Sequence, residues 1–369
     1  MREHFIDHLE QLVNTDSGSH DLEGLRKVAS CLKEQYLKAG WHVREHFLHE
    51  KTGPLLEISN RPDCDRYDFL LVGHYDTVFE KGTAAARPFR IEGDKAYGPG
   101  VDDMKAGDLV IYETVISLKP EVLDRLNIGI VHNPDEEINS IYSREKLKEI
   151  GRRADKIFIF ESNLNSDTHC VSRKGLLNYR IRFTGKAAHA GYLFYRDCAS
   201  AINELAHFVT ELTALMDREK ETSVNVGTIK GGSALNVVAA EAELGVEMRF
   251  KTNEEKERIR QEVAALVASP HDPQIRVEIT DYLETSPWNQ SEACRKYVEY
   301  LREHLGEFRT GERAGLSDGN HLQEVCDIII DGMGPKGGGA HTPEEWLDLS
   351  SIDRTIGLMK RIIELEGEK

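Results

Sequence analysis

The stretch IGIVHNPDEE, residues 128–137, joins a short apolar run to two adjacent carboxylates, Glu136 and Glu137. An apolar run without polar alternation is typical of a strand that is buried on both faces of an α/β sheet. Two neighbouring carboxylates repel each other, and burying either one without a partner is costly. The stretch therefore predicts a central strand, and it raises the question of what stabilises two carboxylates at its end.

Three further apolar runs have the same character: FLLV at 69–72, IFIF at 157–160 and III at 328–330. Segments with helical spacing, such as AGDLVIYETVISL and SREKLKEIG, lie between some of them. Strands that alternate with helices indicate an α/β domain built around a central sheet.

The middle of the chain has a different pattern. Apolar and polar residues alternate over 177–183, 244–250 and 274–280, and two helical stretches, roughly 198–216 and 254–268, separate these strands. Such alternation predicts a sheet with one covered face. We therefore expect a smaller α+β domain at 174–286, inserted into a larger α/β domain formed by 1–173 and 287–369.

The composition restricts the class of partner. The 369 residues include 47 basic and 64 acidic side chains, for a net charge of −17, which argues against binding nucleic acid through its phosphates. The charged, amphipathic N-terminus does not resemble a signal peptide, and no apolar run is long enough to span a membrane. The six cysteines form no C-x-x-C pair, so we interpret them as reduced thiols and expect a cytoplasmic protein.

Chemically versatile side chains follow each apolar run, where the carboxyl ends of strands in an open α/β sheet form ligand sites. These residues are His74 and Asp76 after FLLV, Glu136 and Glu137 after IGIV, Glu161 after IFIF, and His341 after the glycine-rich segment that follows III. The loop AYGPGVDDMKAG adds Asp103, with Asp102 beside it. Two imidazoles and three carboxylates suit a pair of divalent, zinc-like ions that share one carboxylate.

Taken together, these motifs resemble the co-catalytic di-zinc exopeptidases and deacylases, a family that includes glutamate carboxypeptidase, succinyl-diaminopimelate desuccinylase, acetylornithine deacetylase and aminoacylase. The matching motifs are GHYDTV, AYGPGVDDMKAG, DEE, FES and GGGAHTPEEW, and they extend over nearly the whole chain. The stretch PFRIEGDKAYGPG is most similar to the glutamate carboxypeptidase branch. The resemblance implies a catalytic domain with a mixed central sheet flanked by helices, interrupted by a ferredoxin-like lid and dimerisation domain.

The resemblance also implies a role for each motif residue. One metal would be held by His74 and Glu161, the other by Glu137 and His341, and Asp103, followed by a cis peptide bond, would bridge the two. Asp76 would orient His74. Glu136 would be the general base for a metal-bridging water that attacks the amide carbonyl, and would then return the proton to the leaving nitrogen. The metals would neutralise the charge of the paired glutamates.

The inserted domain contributes further candidates by resemblance. GKAAHAG is similar to the family's S-H-x-G segment, which makes His189 an oxyanion stabiliser contributed across a homodimer. GGSALNVVAAEAELGVEMRF is similar to the segment with substrate-binding residues, which are Asn236 and Arg249 here. Read from the residues alone, these three are an ordinary turn histidine, a strand-end asparagine and a surface arginine.

Two positions depart from the family pattern, and a third is informative. Ala106 stands where the family has glycine after D-x-K, and Ala188 stands in place of the serine before the histidine. Glu161 matches carboxypeptidases and deacylases, whereas aminopeptidases and dipeptidases carry aspartate there. This favours cleavage of an amide next to a free carboxylate.

Three functional interpretations follow. The first is a glutamate-carboxypeptidase-like metallopeptidase acting on a small peptide, with two zinc ions, although cobalt or manganese suits similar ligands. The second is an N-acyl-amino-acid deacylase of the acetylornithine or succinyl-diaminopimelate type. The third is a binding protein that keeps the metals but not the catalysis, and the presence of Glu136 beside all five ligand candidates argues against it.

Overall fold

A computed structural model describes residues 2–164, 167–195 and 197–368. The described strands are β1 (His42–His46), β2 (Leu55–Ser59), β3 (Phe69–His74), β4 (Arg90–Glu92), β5 (Lys95–Tyr97), β6 (Ile128–Asn133), β7 (Ile157–Ile159), β8 (Thr168–Arg173), β9 (Gly175–Thr184), β10 (Ser223–Gly231), β11 (Glu241–Phe250), β12 (Arg276–Thr285), β13 (Arg309–Arg313), β14 (Ile329–Ile330), β15 (Gly337–Gly338) and β16 (Trp346–Asp348). The described α-helices are α1 (Arg2–Val13), α2 (Leu22–Lys38), α3 (Thr83–Ala86), α4 (Ala106–Ile116), α5 (Pro120–Leu123), α6 (Arg144–Gly151), α7 (Ala201–Ala214), α8 (Asn253–Ala268), α9 (Glu292–Leu305), α10 (Gly319–Leu322) and α11 (Ile352–Gly367).

The chain divides into two compact units. The main unit comprises residues up to Ser172, Gln290–Glu312 and the chain from Ser317 onward, and the inserted unit comprises Arg173–Asn289 and Arg313–Leu316. Arg173, residues 287–289 and residues 313–316 lie outside the predicted bounds of 174–286 but group with the inserted unit. The guanidinium of Arg173 donates to the carbonyls of Gly315 and Leu316, at 2.9 and 3.0 Å.

The central sheet of the main unit has the strand order β1-β2-β6-β3-β7-β14. Strand β3 runs parallel to β6 and β7, and β14 runs parallel to β7, whereas β2 runs antiparallel to both of its neighbours, β6 and β1. The four apolar runs of the sequence are therefore four neighbouring parallel strands, and the predicted mixed α/β sheet is confirmed. Because the strands are parallel, the residues that follow them lie close together at the carboxyl ends of the strands.

Helices flank this sheet and share one apolar core with it. The core includes Leu9 of α1, Leu32 of α2, Ile111 of α4 and Met359 of α11, each 1% exposed or less. Helix α4 is apolar nearly all round, and its residues from Ala106 to Val115 are buried. No helix among the described residues combines the length and the apolar character needed to cross a membrane.

The inserted unit has an antiparallel sheet with the strand order β10-β11-β9-β12. With α7 and α8 between the strands, the chain order is βαββαβ, which confirms the predicted ferredoxin-like α+β arrangement. One face packs against the helices, as in the perpendicular contact of Phe183 on β9 with Phe208 on α7. The sequence analysis did not predict β10, because this edge strand is mostly exposed and contains Gly227, so its apolar alternation is weak.

Candidate active site

The predicted ligands come together at the carboxyl edge of the central sheet. His74 is the last residue of β3, Glu161 follows β7, and His341 lies in the loop between β15 and β16. Glu136 and Glu137 form a short 3₁₀ turn after β6. Asp103 lies in the irregular turn Val101–Lys105, directly before α4.

Two groups of side chains meet at Asp103. The Nε2 atom of His74 lies 3.2 Å from Asp103 Oδ1 and 3.5 Å from Glu161 Oε1. On the other side, Nε2 of His341 lies 3.2 Å from Asp103 Oδ2 and 3.1 Å from Glu137 Oε2. Each carboxylate oxygen of Asp103 thus faces a different group, as a ligand that bridges two ions would.

These two groups fit a pair of divalent metal ions. In each group, one ligand atom from each residue lies within 4.8 Å of the others. The Oε1 atom of Glu137 is buried and has no hydrogen-bond partner among the described residues. An imidazole and two carboxylates per ion form a donor set that zinc and similar cations accept.

The closely spaced charges of the site shift the pKa values of its side chains. Burial first, and then the charge of Asp103, raise the pKa of Glu137 to about 7. Burial opposes protonation of His74, but the nearby carboxylates, Glu161 foremost, raise its pKa well above the ordinary value. Hydrogen bonds to Asp103 and Glu137 raise the pKa of His341 to about 10. These shifts arise from closely spaced carboxylates and imidazoles, whose charges bound cations would compensate.

Glu136 differs from its neighbour Glu137 in position. Its Oε2 atom lies 3.9 Å from His74 Nε2, and it belongs to neither group of ligands. Burial is the main reason why the pKa of Glu136 lies well above the ordinary value. A carboxylate beside a metal centre, but outside its ligand set, is suited to moving a proton.

Asp76 connects the histidine ligand to the glutamate pair. Its Oδ1 atom accepts from the backbone amide of Glu136 and its Oδ2 atom from that of Glu137, both at 3.1 Å. Oδ2 also accepts from the hydroxyl of Ser19 at 2.7 Å. The Nδ1 atom of His74 lies 3.3 Å from Asp76 Oδ1 and 3.1 Å from the backbone carbonyl of Asp76. One buried side chain thus fixes the positions of several site residues.

Glu345 supports the loop that carries Asp103. Its carboxylate, 1% exposed, accepts from the backbone amides of Asp102 and Asp103, at 2.8 and 3.0 Å, and from that of Gly100 at 2.9 Å. The cis peptide bond expected after Asp103 is present between Asp103 and Met104. The sequence analysis quoted the motif around Glu345 but did not single out this residue, because backbone amides so far away in sequence leave no local pattern.

A second carboxylate missed by the sequence analysis supports the loop with the paired glutamates. Asp318 accepts from the hydroxyl of Ser140 at 2.6 Å and from the side-chain amide of Asn133 at 2.8 and 3.0 Å. These two residues lie on either side of Glu136 and Glu137 in the chain. Burial raises the pKa of Asp318 to about 6. The loop is therefore held at both ends by one side chain.

The other predicted site residues belong to the inserted unit. His189 and Asn236 lie on neighbouring segments, since His189 forms a β-bridge with Val237 and the amide of Ala190 donates to the Asn236 carbonyl at 2.9 Å. The Nδ1 atom of His189 accepts from the amide of Gly191 at 3.1 Å. An imidazole that accepts at Nδ1 carries its proton on Nε2, where it can donate to a ligand.

Arg249, on β11, is half-buried and partly engaged. Its Nε atom lies 2.8 Å from Glu247 Oε1, and its Nη1 atom donates to the carbonyl of Ala314 at 2.9 Å. These contacts hold the guanidinium plane in place. They engage two of its three nitrogens.

The fold and the site together define the class of protein. An α/β sheet presents at its carboxyl edge two metal-ligand groups that share an aspartate, with a further carboxylate beside them, and this is the arrangement of a metal-dependent hydrolase. Residues 70–365 match the family model described as Peptidase family M20/M25/M40. The chain belongs to this family, and it is a metal-dependent hydrolytic enzyme.

Individual relatives agree with this assignment. The chain is 30% identical to carboxypeptidase G2 of Pseudomonas sp. (strain RS-16) over 96% of its own length and 87% of the relative's. It is 28% identical to acetylornithine deacetylase of Proteus mirabilis (strain HI4320), over 80% and 78% of the two chains. Its fold matches that of a tripeptidase from Staphylococcus aureus subsp. aureus Mu50 with a TM-score of 0.79 at 21% identity, over 100% and 99% of the two chains.

Proposed function

We propose that this enzyme hydrolyses an amide or peptide bond next to a free carboxylate, as a glutamate-carboxypeptidase-like metallopeptidase. The observation that carries the proposal is the paired arrangement of Glu136 and Glu137. The backbones of both are bound by Asp76, but only Glu137 belongs to a ligand group. In this pair, Glu137 would bind a metal ion and Glu136 would remain available as the general base.

The metal ligands in this proposal are His74, Glu161 and Asp103 for one ion, and Glu137, His341 and Asp103 for the other. We propose zinc in both positions, and cobalt or manganese suits the same donors. When bound, two such cations supply positive charge that polarises the substrate carbonyl and makes a bound water more acidic. The donor distances of 3.1–3.5 Å between ligand atoms support this assignment.

Glu136 performs the proton transfers in this mechanism. It takes a proton from the attacking water and delivers it to the leaving nitrogen, a role that typically contributes about 10²–10⁴-fold in rate. Burial raises the pKa of Glu136 above its ordinary value, which favours acceptance of a proton. Asp76 keeps Glu136 in place through the backbone and orients the imidazole of His74.

Substrate binding falls to the inserted unit in this proposal. Arg249 binds the free carboxylate of the substrate through the part of its guanidinium that its contacts with Glu247 and Ala314 leave open. Asn236 adds a hydrogen bond to the substrate. His189 donates its Nε2 proton to the developing oxyanion, and the hydrogen bond from Gly191 to Nδ1 supports this tautomer.

We further propose that the enzyme is a cytoplasmic homodimer in which the inserted unit, as predicted for 174–286, acts as the lid and dimerisation domain and His189 serves the partner's site. The edge strand β10 supports the dimer, since an exposed edge can pair with a second copy. All six cysteines are free thiols, which supports a reducing compartment.

A second candidate is an N-acyl-amino-acid deacylase. The match to acetylornithine deacetylase favours it, and the same residues would cut an acyl group from an amino acid that keeps its carboxylate. A hydrolysis screen of C-terminal glutamate peptides, folate-like glutamates and N-acyl amino acids separates the two. Faster cleavage of the glutamate substrates supports the carboxypeptidase. Exclusive cleavage of acyl amino acids replaces it with the deacylase, and full activity after thorough chelation contradicts both.

A further inference from the structure

A second group of potential ligands lies away from the sheet edge, between helices α1 and α4. His4 and His8, one turn apart on α1, face Glu113 of α4. His4 Nδ1 lies 3.0 Å from Glu113 Oε1, and the two imidazole rings are 4.0 Å apart between centroids. One ligand atom from each of the three residues lies within 4.8 Å of the others. None of the three belongs to the site at Asp103.

The residue types and their spacing suit a zinc-like ion. Two histidines four positions apart lie on the same face of a helix, and two imidazoles with one carboxylate form a common zinc donor set. The side chain of Glu113 is only 5% exposed, and burying an ionised carboxylate without a partner is costly. His8 Nδ1 is buried and has no hydrogen-bond partner among the described residues.

An ion pair between His4 and Glu113 explains only part of this arrangement. It gives Glu113 a partner, but it leaves Nδ1 of His8 without a hydrogen-bond partner among the described residues. A metal ion held by the three side chains would give Glu113 a cationic partner and would bind one ligand atom from each histidine.

We propose that His4, His8 and Glu113 bind a third, structural metal ion of the zinc type, which ties the N-terminal helix α1 to α4. Helix α4 begins directly after the turn that carries Asp103, so this ion stabilises the scaffold on which that turn is built. The site takes no part in the proposed hydrolysis. An experiment that contradicts this metal site would therefore leave the proposed function unaffected, and the reverse also holds.

Zinc counting tests this proposal directly. Full-length protein without an affinity tag is stripped with a chelator, equilibrated with saturating free zinc, desalted and measured for zinc per chain by mass spectrometry. We expect His8→Ala and Glu113→Gln each to hold one zinc less than the native chain. His42→Ala, which removes an exposed histidine of β1, should hold the native amount. Equal zinc content in the native, His8→Ala and Glu113→Gln proteins overturns the proposal.

Two further measurements protect this test against misfolding and against loss of the other metals. His4→Gln alters a half-exposed side chain, so it should fold even if His8→Ala does not, and it should also hold less zinc than the native chain. In a His74→Ala, His341→Ala background, where the ligands at Asp103 are disrupted, added zinc should still raise the Tm. That increase should disappear when His8→Ala is added to the background. An increase that survives places the ion elsewhere and contradicts the proposal.

Discussion

The Oδ1 atom of Asp76 accepts a hydrogen bond from the backbone amide of Glu136 at 3.1 Å. The side chain that lies next to the His74 imidazole therefore also determines where the proposed base stands. This coupling predicts that a change at Asp76 affects the metal site and the proton transfer together.

Asp76→Ala removes the acceptor for two backbone amides and the carboxylate next to His74. We expect a fall of about 10–100-fold in metal affinity or in activity, the usual effect of losing a residue that orients a ligand. Metal titration and kcat/KM, measured on the same preparation, check this. Ser19→Ala is the matched control, because it removes only the hydroxyl that donates to Asp76 and should have a smaller effect. Equal effects of the two variants would argue against a coupling through Asp76.

The two adjacent glutamates should respond differently to the same substitution. Glu136→Gln removes the base but none of the ligands, so we expect kcat to fall by about 10²–10⁴-fold while the metal content persists. Glu137→Gln should weaken one metal group, since Glu137 lies 3.1 Å from His341. Metal analysis and steady-state kinetics of both variants test this. Equal metal loss in both would mean that the two roles are wrongly assigned.

His189 should matter for the rate and not for the metals. His189→Ala removes the proposed oxyanion donor, so we expect kcat to fall by about 10²–10³-fold with full metal content. Mixing His189→Ala with Glu136→Gln protein should restore part of the activity, because one site of a mixed dimer has an intact base and an intact partner histidine. Subunit exchange is verified with differently labelled chains. A mixture that exchanges subunits but stays inactive contradicts the role across the dimer.

Glu345→Ala should destabilise the loop of Asp103. The substitution leaves three backbone amides without their acceptor, two of them buried, and each buried loss costs about 1–3 kcal/mol. We expect a lower free energy of unfolding and weaker metal binding, measured by urea denaturation and metal titration. Glu344→Ala, an exposed neighbour, is the control and should behave like the native enzyme. Native stability in Glu345→Ala would show that the loop holds its shape without this carboxylate.

The buried histidine His321 should lower the free energy of unfolding in mild acid. Burial, aided by the charges of Lys148 and Arg144, lowers its pKa from 6.5 to about 4. Between these values the unfolded chain binds a proton that the folded chain does not, so stability falls as the pH drops from 6.5 towards 4, by up to about 3 kcal/mol. In His321→Gln, urea unfolding at pH 7 and pH 5 should show a smaller difference than in the native protein. His304→Gln, at an exposed helix position, should keep the native pH dependence.

The sequence predicted that His74 and Glu161 directly follow buried strands. These strands are parallel neighbours in the structure, so the two residues lie close together. Glu345 and Asp318 were not predicted, because they act on backbone amides and on polar side chains that only folding brings to them. His4 and His8 were not recognised either, since Glu113 is distant from them in sequence. Their spacing is also that of an ordinary amphipathic helix.

The interruption of the main unit by the inserted unit has a consequence for synthesis. The group of His74, Asp103 and Glu161 is complete in sequence before the inserted unit is translated, whereas His341 and strand β14 follow it. At about 5–20 residues per second, a ribosome needs roughly ten to forty seconds to travel from Glu161 to His341. During that interval the nascent chain contains all three proposed ligand carboxylates but lacks His341, and β7 lacks its neighbour β14. The order of the motifs along the chain thus sets the order in which the two halves of the centre become available.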